Sequence, residues 1–134
     1  MDYIIQKSNF NIDSAKHLIE NNCYASSVHC SYYASFQYMK HKLKLCQNTT
    51  YTDIDIACKN HIGGSHVYVI NGILNNLKPK LGLKDFTTIK RRINDLKQFR
   101  LDSDYYNIQI LIDEASKSLK FSEEIIQTLN ANIK

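Results

Sequence analysis

The chain holds one proline and four glycines in 134 residues. A β-sandwich or barrel needs many tight turns and draws on those residues to make them. Their scarcity argues against such folds and for a few long helices. No apolar run approaches the ~18 uninterrupted residues of a membrane span. The first residues, Met1-Asp2-Tyr3-Ile4-Ile5-Gln6-Lys7, lack a basic lead followed by an apolar core, so no signal peptide is read there. A soluble, cytoplasmic protein is expected. Cys23, Cys30, Cys46 and Cys58 show no CxxC spacing, and a cytosolic chain of this size does not need disulfides. Cys23 and Cys30 are seven apart, and on a helix they would share a face as small buried groups. A di-iron bundle is excluded too, because Glu20, Glu114, Glu123 and Glu124 have no histidine three residues on.

What is present is one domain's worth of amphipathic helix. Hydrophobic residues make up 43% and charged residues 22%, ordinary for a soluble globular protein. Ile4, Ile5, Ile12, Ala15, Leu18 and Ile19 define a first segment, weakened in its middle by Ser8-Asn9 and stopped at Asn21-Asn22. Ala25, His29, Tyr32, Phe36, Met39 and Leu43 recur at helical spacing, the seam of a central, mostly buried helix. Thr52 or Asp53 is expected to cap a short helix through Ile54 and Ala57. Gly63-Gly64 breaks the chain, and Ser65 is expected to cap a helix carrying Val67, Ile70, Ile73, Leu74 and Leu77. Pro79 and Gly82 mark its end. Asp85 reads as the cap of the next helix, with Phe86, Ile89, Ile93 and Leu96 inside, and Asp102-Ser103-Asp104 as a turn. The last helix carries Ile108, Leu111, Ile112, Ala115, Leu119, Ile126 and Leu129. The expected fold is a single all-α domain over residues 1–134, an up-and-down bundle of four to five helices.

The net charge of +4 is unevenly spread: +1 over residues 1–77, +6 over 78–100 and −3 over 101–134. Lys78, Lys80, Lys84, Lys90, Arg91, Arg92, Lys97 and Arg100 form the basic part. Such a stripe can hold phosphates, or it can serve as a solvated face and as partner to the acidic last helix.

Two constellations could carry chemistry. Cys58-x2-His61-x4-His66 offers zinc-type ligands, with Cys46 or His41 as a fourth. It lacks the second paired ligand set of a structural zinc site, so a helix-capping loop is the expectation, with no metal and no cofactor. Arg100-Leu101-Asp102-Ser103-Asp104-Tyr105-Tyr106-Asn107 gathers an Arg, carboxylates, phenols and an amide. Arg100 and Asp104 are four apart, the reach of a helical ion pair.

These residues also carry a resemblance. Ala25-Ser26-Ser27-Val28-His29-Cys30-Ser31-Tyr32-Tyr33-Ala34-Ser35-Phe36 resembles the YYAxF signature on the second helix of HEPN domains. His61-Ile62-Gly63-Gly64 is similar to that family's His-Ser-Gly loop, and Arg100-x3-Asp104-Tyr105 to its R-x-x-A-D-Y element. The three stand in the family's order over nearly the whole chain. The resemblance implies a four- to five-helix bundle, a homodimer, and a role with RNA or nucleotides. Some members are metal-independent ribonucleases built on Arg-x4-6-His, and others are toxins paired with a small nucleotidyltransferase antitoxin. Positions 105, 106 and 107 are Tyr, Tyr and Asn, so no histidine follows Arg100 at the nuclease spacing.

The resemblance therefore implies a non-catalytic binding module. Arg100 would contact phosphate and Asp104 would orient it. Tyr33, Tyr105 and Asn107 would add stacking and polar contacts, and Lys90, Arg91, Arg92 and Lys97 a steering field. Its ligand or partner would be RNA, a nucleotide or a nucleotidyltransferase. The alternatives are a ribonuclease using Arg100 with a displaced His61, and a purely structural dimerisation domain.

Overall fold

The structure, a computed structural model, describes residues 2–134, and all regular structure among them is helical. There are six helices rather than four or five: α1 (Tyr3–Glu20), α2 (Tyr24–Gln47), α3 (Tyr51–Asn60), α4 (Gly64–Leu77), α5 (Leu83–Tyr105) and α6 (Ile112–Asn132). None of the described helices is long and apolar enough to cross a membrane.

Helix α2 is the axis of the packing. Its hydrophobic seam supplies Tyr32, Met39 and Leu43 to a core shared with Val69, Ile73 and Leu77 of α4, Ile89, Ile93 and Leu96 of α5, and Ile125 and Leu129 of α6. Contacts give the directions. Ser8 Oγ donates to the Ala34 carbonyl and Ser27 Oγ to that of Ala15, so α1 runs antiparallel to α2. Tyr33–Arg100 and His29–Asp104 contacts set α5 antiparallel to α2 as well. Tyr38 meets Asn130 and Lys42 meets Ile133, so α6 runs parallel to it. His66 lies beside Tyr32, and Gly72 faces Leu43, so α4 is also parallel to α2. The short α3 returns the chain between α2 and α4, since Lys40 meets Asp55 and His41 meets Tyr51, so successive helices alternate in direction.

Several helix boundaries differ from the sequence reading. Ser8 does not interrupt α1, because it is fully buried and its hydroxyl is satisfied across the α2 interface. Thr50, not Thr52 or Asp53, caps α3, its hydroxyl accepting from the Asp53 amide. Helix α4 begins at Gly64 on a Gly63 cap, one residue ahead of Ser65. Helix α5 begins at Leu83 on a Gly82 cap, which leaves Asp85 in its first turn, where a carboxylate suits the helix dipole. That helix also runs through Asp102-Ser103-Asp104 to Tyr105, so this segment is helix and not turn. Cys23 is the exposed N-cap of α2 and not a buried helical residue; only Cys58 of the four free cysteines is buried.

The ends of the described chain converge. Asp2 Oδ1 accepts from the Ile4 and Ile5 amides and caps α1. Its Oδ2 lies 2.9 Å from His41 Nδ1 and accepts from Tyr51 Oη at 2.7 Å. On the next residue of α2, Lys42 Nζ donates to the Ile133 carbonyl at 2.8 Å.

Candidate functional site

Arg100 sits in the penultimate turn of α5, and only 9% of it is exposed. Its guanidinium is held on two sides. Nε donates to Asp104 Oδ2 at 3.0 Å, the i,i+4 pair that the spacing proposes. Nη2 donates to Tyr33 Oη at 2.8 Å and to Tyr105 Oη at 3.2 Å. The carbon of the guanidinium lies 5.5, 5.3 and 5.1 Å from the ring centroids of Tyr32, Tyr33 and Tyr105, within cation–π range. Nη1 donates to none of the described residues, and it is not among their sealed, unsatisfied atoms, which are Ser31 Oγ and Ser122 Oγ. One amino group of an otherwise clamped cation thus makes no bond to the described residues.

Two histidines complete the cluster. His29 Nδ1 lies 2.9 and 3.1 Å from the two oxygens of Asp104, so this carboxylate holds both Arg100 and His29. His66 stacks on Phe36 with ring centroids 4.3 Å apart, and its Nδ1 lies 2.6 Å from Tyr32 Oη. Tyr32 is 1% exposed and no other partner reaches its hydroxyl, so its proton must go to Nδ1 of His66. Nε2 then carries the imidazole proton and makes no bond to the described residues. Burial, then the charges of Arg100 and Lys97, hold His66 below its ordinary pKa and keep it neutral. Burial likewise pushes the Tyr32 phenol well above its ordinary value and keeps it a donor. Nε2–H of His66 and Nη1–H of Arg100 are two free donors suited to an oxyanion.

The structure brings together Arg100, Asp104, Tyr33 and Tyr105. It does not bring His61 to them. His61 packs against Tyr68 and accepts from the Gly63 amide, and Tyr68 Oη reaches Gln47. Gln47 is 14 residues past Tyr33, or about 21 Å along α2. Asn107 is exposed on the α5–α6 connection and its side chain bonds to none of the described residues. The basic residues do not form one stripe. Arg92 Nε donates to Glu124 at 3.0 Å and its guanidinium lies over Phe121, so α6 has taken it up. Arg91 points outward, roughly opposite Arg100 at about 100° per residue. Lys90 and Lys97, seven apart, share a flank, and Lys97 lies near His66.

His29 and His66 were legible only as a seam residue and a zinc-type ligand. The signal that marks them is the i, i+3, i+4, i+7 set His29, Tyr32, Tyr33 and Phe36, a polar and aromatic band where a plain core helix would carry aliphatic residues. Among the described residues, no three His, Cys, Asp or Glu side chains converge on a metal position. Cys58 is buried with its thiol toward the Ser65 carbonyl, while His61 and His66 turn to different neighbours. Compared with models of known families and with curated proteins, the chain matches none.

Proposed function

We propose that the chain is a HEPN-like cytoplasmic domain that binds a phosphate of RNA or a nucleotide at Arg100 without cleaving it. The observation that carries this is the pair of free donors, Arg100 Nη1 and His66 Nε2. A histidine fixed as the Nε2–H tautomer offers phosphate a hydrogen bond but cannot take a proton from a hydroxyl. Homodimerisation and a nucleotidyltransferase partner, as in toxin–antitoxin pairs, belong to the same proposal through the family resemblance. The exposed Tyr106, Ile108, Leu111 and Ile112 between α5 and α6 supply apolar area for such a contact. Binding of a fluorescent single-stranded RNA, titrated with salt in EDTA, tests the proposal. Affinity should fall with salt and drop at least about tenfold in Arg100→Gln. Absence of RNA and nucleotide affinity at low salt, or affinity indifferent to Arg100, would overturn it.

One observation favours a second reading, metal-independent RNA cleavage. Asp104 engages His29 through Nδ1, which leaves Nε2 of a half-exposed imidazole free to act as a base next to Arg100. In that reading His29, rather than His61, partners Arg100. Intact RNA after incubation in EDTA favours the binding module. Cleavage abolished by His29→Ala and by Arg100→Ala, and retained in His61→Ala, favours the enzyme.

A further inference from the structure

The Arg100 cluster does not end at His66. Phe36, the ring on which His66 stacks, also lines a cavity of about 440 Å³ with Val69, Cys58, Ser65, Asp55, Lys40 and Lys59. Its size is within the range of small-molecule pockets. The cavity floor is apolar and aromatic: Val69 is fully buried, Cys58 is 8% exposed, and burial pushes that thiol's pKa up, which keeps it neutral. Its rim is polar. Lys40 Nζ meets Asp55 Oδ1 at 2.6 Å there, and Asp55 remains largely exposed.

The cavity and the anion donors share one side of α2. His29, Tyr33, Phe36 and Lys40 follow at intervals of four, three and four, the step that keeps residues on one flank. From Tyr33, which carries Arg100, to Lys40 at the far rim is about 10 Å along the helix. Along this flank stand the oxyanion donors, then Phe36, which touches both His66 and the cavity, then the cavity itself, whose rim offers carboxylate and hydroxyl acceptors. That order of chemistry matches one ligand unit: a phosphate, a sugar, and a planar base bearing an amino group.

We infer that this flank of α2 carries a nucleotide site in two parts, with the phosphate on Arg100 and His66 and an amino-bearing base in the Phe36–Val69–Cys58 cavity. The inference rests on the phosphate reading above and adds the base subsite to it. The Asp55 carboxylate would accept from the base's amino group while Lys40 holds the carboxylate in place. Free nucleotides and nucleotides within RNA share this chemistry.

Calorimetric titration with AMP, ribose 5-phosphate and a short oligoadenylate tests it, alongside methyl NMR of Val69. AMP should bind at least about tenfold more tightly than ribose 5-phosphate, the contribution of one stacked base. The Val69 methyl signals should move with AMP and stay with ribose 5-phosphate. Ser65→Trp, at an exposed rim position, should lower AMP affinity to the ribose 5-phosphate level. Oligoadenylate binding more tightly than AMP assigns the site to RNA, and the reverse assigns it to free nucleotide; both support the base subsite. Equal affinity for AMP and ribose 5-phosphate, with Val69 unmoved, overturns the base subsite and leaves the phosphate reading standing. Affinities that ignore Arg100→Gln overturn the phosphate reading itself.

Discussion

The Tyr32 hydroxyl lies 2.6 Å from Nδ1 of His66, and this single bond decides what the histidine can do. Because the phenol is sealed from water, it must donate to the ring nitrogen. The imidazole therefore carries an N–H, and not a lone pair, at Nε2. A tyrosine placed where a carboxylate would have made the ring basic makes it a hydrogen-bond donor.

Nitrogen-15 NMR of the histidine side chains checks the tautomer directly. His66 should show a protonated Nε2 and a bare Nδ1 at neutral pH. In Tyr32→Phe, which leaves Nδ1 without its donor, the two tautomers should mix, and affinity for phosphate-bearing ligands should fall several-fold. A wild-type ring protonated at Nδ1 would return His66 to the role of a base.

Stability should decline as pH falls from 7 toward 5. Burial, then Arg100 and Lys97, lower the pKa of His66 below its ordinary 6.5, and burial lowers that of His41 despite the opposing charge of Asp2. The unfolded chain binds these protons more readily than the folded one. Stability from these histidines is thus complete above about 6.5 and is lost as pH drops through the lowered folded values. Thermal melts across this range should show a falling Tm, and a flat profile would contradict both shifts.

Arg100→Met should destabilise the domain by about 2–3 kcal/mol, somewhat under the loss from breaking a fully buried ion pair, since the Asp104 side chain is 19% exposed. Adding Asp104→Asn should recover part of that loss, because it removes a carboxylate that has lost its guanidinium and keeps only His29. Urea denaturation of the single and double variants measures the coupling. Strict additivity would mean that the pair is held by the fold and does not hold it.

Two glycines should respond with opposite signs. A Cβ on Gly72 would meet Leu43 Cδ1 at 2.8 Å, and Leu43 is 1% exposed, with little room to move aside. Gly72→Ala should therefore cost about 1–3 kcal/mol. A Cβ on Gly82 meets nothing within 4 Å, and this residue caps α5 without any side-chain bond. Gly82→Ser should gain a few tenths of a kcal/mol or more by supplying an acceptor to the first turn.

Thiol labelling should follow exposure. Cys23 should react first, Cys30 and Cys46 more slowly, and Cys58 last, since it is buried and its pKa is raised. Rapid labelling of Cys58 would show that the cavity over it opens readily.

The helices were legible because their apolar residues recur at helical spacing, and α2 was legible in most detail. The Arg100–Asp104 pair was legible for the same reason, as a local relation within one helix. Long-range relations were not. His29 meets Asp104 across 75 positions and His66 meets Tyr32 across 34, and periodicity carries no information on which helix faces which. His61 was favoured over His66 because His61-Ile62-Gly63-Gly64 resembles the family's His-Ser-Gly loop. For Arg92 the sequence left open a phosphate-holding stripe or a partner on the acidic last helix, and the structure gives it the second, Glu124, 32 residues away. The reading slipped where a polar residue looked like a break but had a tertiary partner, as Ser8 does, or looked like a cap but lay inside a first turn, as Asp85 does.

The convergence of Asp2 and Ile133 on neighbouring residues of α2 has a mechanical consequence. His41 holds one end of the described chain and Lys42 the other, at bonds of 2.9 and 2.8 Å. A pulling force applied at those ends would pass across one turn of α2 and would not stretch the bundle along its length. Rupture should begin as an unzipping there, peeling α1 and α6 away in either order. The flank of α2 along His29, Tyr33 and Phe36 lies up to three turns away and would be among the last parts to feel the load.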